Sequence, residues 1–143
     1  MHQSAARIEI GDLRLNSEIS NKISLTLQRK HEVFNFSINP YINIINDFII
    51  IEPIGLAQQT IRGNFPVWEY RQTNTQLLGV DIDAAYSFVN NFQLRHQFSL
   101  VKGYERSNDK PLINIPPVNT KNELVYRNPK INNLRLALQS EYV

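Results

Sequence analysis

The sequence contains no cysteine, which excludes disulfide frameworks, thiolate catalysis and Cys-ligated zinc or iron–sulfur centres within this chain. Alanine is scarce, with six residues against 17 each of Asn and Ile, a usage that favours strands and turns over helices. Long apolar runs are missing. The longest, 48–51 with Ile44 and Ile45 just upstream, is broken by Asn46 and Asp47 and falls far short of the roughly 20 residues a membrane helix needs. A helical span is thereby excluded, but a membrane strand of about 9 to 11 residues with alternate positions apolar is not. Residues 1–7 hold no apolar stretch with a small-residue cleavage site, so no secretory signal is read there. A net charge of +2 from singly scattered basic residues argues against nucleic acid as a partner. Neither a Gly-x-Ser-x-Gly elbow nor a Gly-rich phosphate loop occurs, so no enzyme is read and no cofactor is expected. What remains is a chain of 143 residues, 42% hydrophobic and 20% charged, the size and balance of one folded domain.

The pattern that is present has period two. Phe34, Phe36, Ile38, Pro40, Ile42 and Ile44 alternate with Asn35, Ser37, Asn39, Tyr41 and Asn43, the signature of a strand with one apolar and one polar face. Upstream, Ile23, Leu25 and Leu27 alternate with Ser24, Thr26 and Gln28, and the charged segment 29–32 makes a turn between the two runs. Leu78, Val80, Ile82, Ala84, Tyr86 and Phe88 oppose Gly79, Asp81, Asp83, Ala85 and Ser87, while 71–76 is polar on both faces. After a turn at Asn90 and Asn91, Phe92, Leu94, Phe98 and Leu100 oppose Gln93, Arg95, Gln97 and Ser99. A weaker run covers 118–127 and a clear one 132–143, with Leu136 outward and Gln139 inward. The expected architecture is all-β, an antiparallel meander of about six long strands near 21–30, 33–51, 67–88, 92–104, 118–127 and 132–143.

Connections alternate in length: short at 29–32, 89–91 and 128–131, longer at 52–66 and 105–117. A membrane barrel meander has this rhythm, with tight turns on one side and longer loops on the other. Aromatic residues fall into two groups, Phe34, Phe36, Tyr86, Phe88, Phe92 and Tyr126 near the short turns and Phe48, Trp68, Tyr70, Tyr104 and Tyr142 near the other end, as two interfacial girdles would. Asp81 and Asp83 point to one side of a strand; they are read as solvated residues rather than catalytic ones. His2, His31 and His96 share no ligand spacing, so no metal site is expected. His96 falls on the apolar side of its strand unless a bulge turns it inward. Gly79 reads as a bulge or close-approach position, and Pro116 with Pro117 as a strand entry.

Four segments in order resemble the barrel of TonB-dependent outer-membrane receptors. The first is 10–21, with Gly11-Asp12, a Leu15-x-x-Glu18 spacing and Ser20. Next come Asn39-Pro40-Tyr41-Ile42-Asn43-Ile44 running to Asp47 and Ile49, then Tyr70 to Asp81 with its Gly79-x-Asp81 end, where the family usually has Glu. Val101-Lys102-Gly103-Tyr104-Glu105 followed by Pro111 to Pro117 is the last. The resemblance implies a partial receptor barrel, by analogy about strands 14 to 19 of a barrel of roughly 22 strands, without plug, TonB box or closing strands. It further implies the outer membrane of a Gram-negative bacterium, import of a metal chelate or metal ion (iron-siderophore, haem, cobalamin or similar), and energy from the TonB–ExbB–ExbD complex through a missing N-terminal region. Outer-membrane lipid would be a further partner. Candidate substrate contacts lie in the outer loops: Gln58, Gln59, Arg62, Trp68, Tyr104, Arg106, Asn108, Asp109 and Lys110. The alternative from the residues alone is a soluble β-sandwich that binds carbohydrate or protein, because a buried core face and a lipid face share one alternation.

Overall fold

A computed structural model describes residues 7–89 and 91–143, with Val89 described by its backbone only. His2 and Asn90 lie outside the described residues. The chain is all-β: β1 (Ile8–Ile10), β2 (Ile19–Ser24), β3 (Leu27–Arg29), β4 (Phe34–Thr60), β5 (Gly63–Val89), β6 (Phe92–Glu105), β7 (Asn119–Asn128) and β8 (Leu134–Tyr142). One sheet holds them all in the order β2, β4, β5, β6, β7, β8, with β3 paired to β4 and β1 to β5. Sequence neighbours are therefore sheet neighbours, as period-two runs joined by short links dictate. Pairing is antiparallel between β3 and β4, β6 and β7, and β7 and β8.

The strand ends differ from expectation in instructive places. The run near 21–30 is two strands, β2 and β3, parted at Leu25 and Thr26. Opposite stands Pro40. The Leu25 amide donates to the Pro40 carbonyl at 3.0 Å, but proline has no N–H to return, so the ladder loses a rung there. Residues 52–66, expected as a loop, are instead the ends of β4 and β5, closed by a turn at Ile61 and Arg62. Pro53 and Gly55 gave the loop signal. Gly55, at a φ of 74°, makes a left-handed bend inside the strand, and the Thr60 hydroxyl ties the tip by donating to Gly63 O and accepting the Arg62 amide, both at 3.1 Å. β8 starts at Leu134 rather than 132, because Asn132 and Asn133 take φ of 50° and 56°, the left-handed region Asn tolerates in turns. The short β1 pairs in parallel with Val67, Trp68 and Glu69; three residues are too few to show a period.

Two compact units result. The first comprises Met1–Asn21, Ile44–Gln76 and Tyr104–Ile113; among its described residues Ile45, Ile50, Val67 and Leu112 are buried together with Thr75 and Glu105. The second comprises Lys22–Asn43, Leu77–Gly103 and Asn114–Val143. Here Val125 is fully buried, yet Leu78, Phe88, Leu94, Leu136, Leu138 and Tyr142 stand exposed. One face of these strands is apolar and uncovered. At one end of it the rings of Phe36, Phe34, Tyr86, Phe88, Phe92 and Tyr126 form a continuous row across β4, β5, β6 and β7, with centroids 4.8 to 6.5 Å apart.

On the polar face of the second unit, Gly79 is an ordinary strand residue whose missing side chain is the point. A Cβ built there would collide with the ring of Tyr41, and the Lys22 ammonium lies over that ring, 4.1 Å from its centroid. β2, β4 and β5 are thus joined by one stack. Gly79→Val is expected to lower the unfolding free energy of the full-length protein by about 1 to 3 kcal/mol, and adding Tyr41→Ser to recover part of the loss. Equal losses in urea titrations of the single and double variants would show that ring and glycine do not interact.

Candidate functional site

The first unit carries the densest polar chemistry of the described residues, and the pleat explains why. Arg71 and Thr73 share one face of β5 by alternation, and Glu105 ends the neighbouring β6. In β4 the polar set before the break is odd-numbered. Asp47 then takes a φ of 55°, donates its amide to Asn74 Oδ1 at 3.2 Å and offers its carbonyl to Gln72 Nε2 at 2.7 Å. This inserted step shifts the parity, so that Glu52 faces Arg71.

The Arg71 guanidinium donates to both oxygens of Glu52, Nε at 2.7 Å and Nη2 at 3.0 Å, and also to Glu105 Oε1 at 2.6 Å. The Thr73 hydroxyl donates to Glu105 Oε2 at 3.3 Å, and Lys110 Nζ to Glu52 Oε2 at 3.2 Å. Two cations thereby meet two carboxylates. Arg71, helped by Lys110, holds the Glu52 carboxyl down to about 2 against burial, which opposes it. Hydrogen bonding from Arg71 likewise keeps Glu105 below the usual carboxylate range, although its side chain is only 5% exposed. Arg71 itself is raised by Glu52 first and Glu105 second. A neutral, internally satisfied cluster braces β4, β5 and β6; it presents no free charge to a ligand.

Beyond it the chain turns tightly. The Glu105 amide donates to Lys110 O at 2.9 Å, Tyr104 bridges to Pro111, and Asn108 Oδ1 accepts the Lys110 amide at 3.1 Å while Asp109 sits at a φ of 53°. The expected loop 105–117 thus begins as a closed turn. Beside it Gln76, Tyr104, Arg106 and Asp109 line a cleft of about 170 Å³. Of the nine residues expected to contact substrate, Tyr104, Arg106 and Asp109 are brought together. Lys110 is drawn into the ion cluster and Asn108 shapes the turn. Gln58 and Gln59 are exposed on β4, Arg62 is exposed at the tip turn, and Trp68 lies half-buried on β5 with the Arg7 guanidinium 4.7 Å over its ring. Sequence reasoning missed Glu52, Arg71, Thr73 and Glu105. The available signal was the stretch 71–76, polar on both faces, which no half-buried strand tolerates without partners.

In the second unit, Asp81 and Asp83 do not act as a pair. Ser99 Oγ donates to Asp81 at 2.7 Å and Gln97 Nε2 to Asp83 at 3.0 Å. Glu123 is flanked by Arg135 at 3.0 Å and Arg95 at 3.9 Å. Among the described residues no three of His, Asp and Glu gather as a metal site would require.

No protein-family model matches the sequence, and no curated protein matches it. Among solved structures the chain is similar to the copper transporter OprC, with a TM-score of 0.68 and 18% identity over 81% of this chain. The match spans 17% of the transporter's length. At this identity the likeness is one of fold.

The ion cluster has a pH signature. A carboxylate whose folded value is depressed stabilises the fold above its unfolded value and loses that contribution as the pH falls through the folded one. Glu52 goes from 4.5 to about 2, so protease cleavage within 106–110 should be resisted at neutral pH and rise as the pH falls from about 4.5 toward 2. Arg71→Gln, which strands the buried Glu105 carboxylate, should allow the cleavage already at pH 7, at a cost of about 3 kcal/mol. An acid-independent cleavage pattern in the unsubstituted protein would contradict the assignment.

Proposed function

We propose that this chain is a segment of the barrel wall and outer extension of an outer-membrane receptor that imports a metal chelate or metal ion, with energy supplied through TonB, ExbB and ExbD. The uncovered apolar face of the second unit carries the proposal. Leu78, Leu94, Leu136, Leu138 and Tyr142 stand exposed on β5, β6 and β8, an apolar surface of the kind that marks an interaction face, and the aromatic row at one end of this face has the form of an interfacial girdle. A soluble sandwich would cover that face with a second sheet; among the described residues all eight strands belong to one.

Strand length supports the outward extension. β4 and β5 have 27 residues each, more than twice the roughly 9 to 11 that a tilted membrane strand needs. Ligand contact is assigned to the cleft, where Arg106 and Tyr104 supply a cation and a hydroxyl; Lys110 is committed to Glu52. Among the described residues no set of His, Asp and Glu gathers as a metal site would. The chain has no cysteine and one methionine, His31 Nδ1 accepts the Val33 amide at 3.4 Å, and His96 pairs with Asn122. The assignment therefore stays at the class of metal chelate or metal ion.

Leu136 and Gln139 were expected to mark the outward and inward faces. In the sheet Leu136 stands opposite Tyr126, at the level of the aromatic row, and Leu138 opposite Leu124, one step deeper. At an interface an arginine costs about 0 to 1 kcal/mol, near the midplane about 2 to 4 kcal/mol. In the full-length protein Leu138→Arg should therefore destabilise by about 2 to 4 kcal/mol, Leu136→Arg by less, and Gln139→Arg, on the polar face with Glu123 opposite, by least. Spin labels decide between lipid and a buried core: a lipid-soluble relaxant should broaden a label at 138 and spare one at 139, and protection of 138 would refute the membrane reading.

A further inference from the structure

Within the apolar face of the second unit runs one polar row. His96 on β6 is the register partner of Asn122 on β7, and Asn122 that of Ser140 on β8. The β6–β7 ladder is unbroken from Phe92 to Ser99, so no bulge turns His96 inward. Toward the aromatic row lie Leu94, Leu124 and Leu138, and on the other side Phe98, Thr120 and Tyr142. Four residues separate His96 from Phe92, about 13 Å along a strand and about 10 Å in depth at a tilt of ~40°. In an apolar band about 25 Å tall the row lies near the middle, where hydrocarbon offers no hydrogen bonds.

The row is only partly satisfied internally. His96 Nδ1 lies 2.8 Å from Asn122 Oδ1. An amide oxygen only accepts, so Nδ1–H donates, leaving Nε2 of the neutral ring as a bare acceptor and the Asn122 amide nitrogen with its donors unused. Rotating the amide by half a turn reverses both roles and again leaves one donor beside one acceptor. Such a pair is complementary to itself under a two-fold axis. Two copies of one chain inserted with the same polarity bring each residue to its own depth, so the Nε2 of one copy meets the amide of the other.

We infer that the His96–Asn122–Ser140 row is a contact site for a second copy of the same chain within the membrane. The inference rests on the proposed membrane reading, and a label at Leu78, on β5 of the same face and outside the row, reports on that reading separately. In the full-length protein on a cysteine-free background, Ser140→Cys should cross-link with a short bis-maleimide in native outer membranes to a product of twice the monomer mass. Gln139→Cys, on the polar face, should not. Adding His96→Leu and Asn122→Leu to Ser140→Cys should reduce the dimer band at least ten-fold, while heat-modifiable migration shows the barrel still folded. If Ser140→Cys stays monomeric, joins a protein of another mass, or cross-links equally with the two leucines present, the contact is overturned even though a label at Leu78 is lipid-exposed. If that label is shielded from the lipid-soluble relaxant, the membrane reading falls and the contact with it.

Discussion

Everything in this sheet depends on backbone groups finding their hydrogen-bond partners on neighbouring strands. That requirement favours long, continuous ladders and leaves side chains free to sort by face, apolar on one and polar on the other. It also dictates where irregularity is tolerated. Within the described residues the interruptions are few and each is compensated: the rung lost at Pro40 coincides with the break between β2 and β3, and the left-handed step at Asp47 is held by Gln72 and Asn74. Asp47 lies in the unit whose described residues include the buried Ile45, Ile50, Val67 and Leu112.

The polar groups follow a matching division. Where the pleat presents alternate residues on the polar face, Asp81 and Asp83 take single partners across the ladder and Glu123 is held between Arg95 and Arg135. In the first unit Arg71 adds a source of rigidity beyond the ladder by joining three strands through two carboxylates. The geometry costs desolvation at Glu105 and recovers it through short charged hydrogen bonds. Charge in the first unit is thus largely architectural.

The alternation of Phe34 to Ile44 and of Leu78 to Phe88 made the fold class and the strand order legible in the sequence, because period two survives any uncertainty about strand ends. The ends themselves were obscured by local chemistry. The stretch 52–66 read as a longer connection, yet it is the ends of β4 and β5, where Gly55 takes the left-handed bend that glycine permits. Of the candidate site, the cleft residues Tyr104, Arg106 and Asp109 were legible as loop polars. Glu52, Arg71 and Glu105 were not, since they are 19 and 34 residues apart and their meeting depends on a register set by Asp47, which a pattern of single strands does not encode.

The notch at Gly79 bears on how such a sheet comes to be assembled. Alternation rejects a slip of one residue, because every side chain would change face. A slip of two passes that test unnoticed: Asn, Ser, Asp and Gln would still share the polar face, and Ile, Leu and Phe the apolar one. At Gly79 the degeneracy ends. Its neighbours on the same face, Leu77 and Asp81, carry side chains where the Tyr41 ring must lie, so only one alignment of β4 on β5 seats the ring. A single absent side chain thus proofreads the even-numbered errors that the hydrophobic pattern of the whole sheet is blind to.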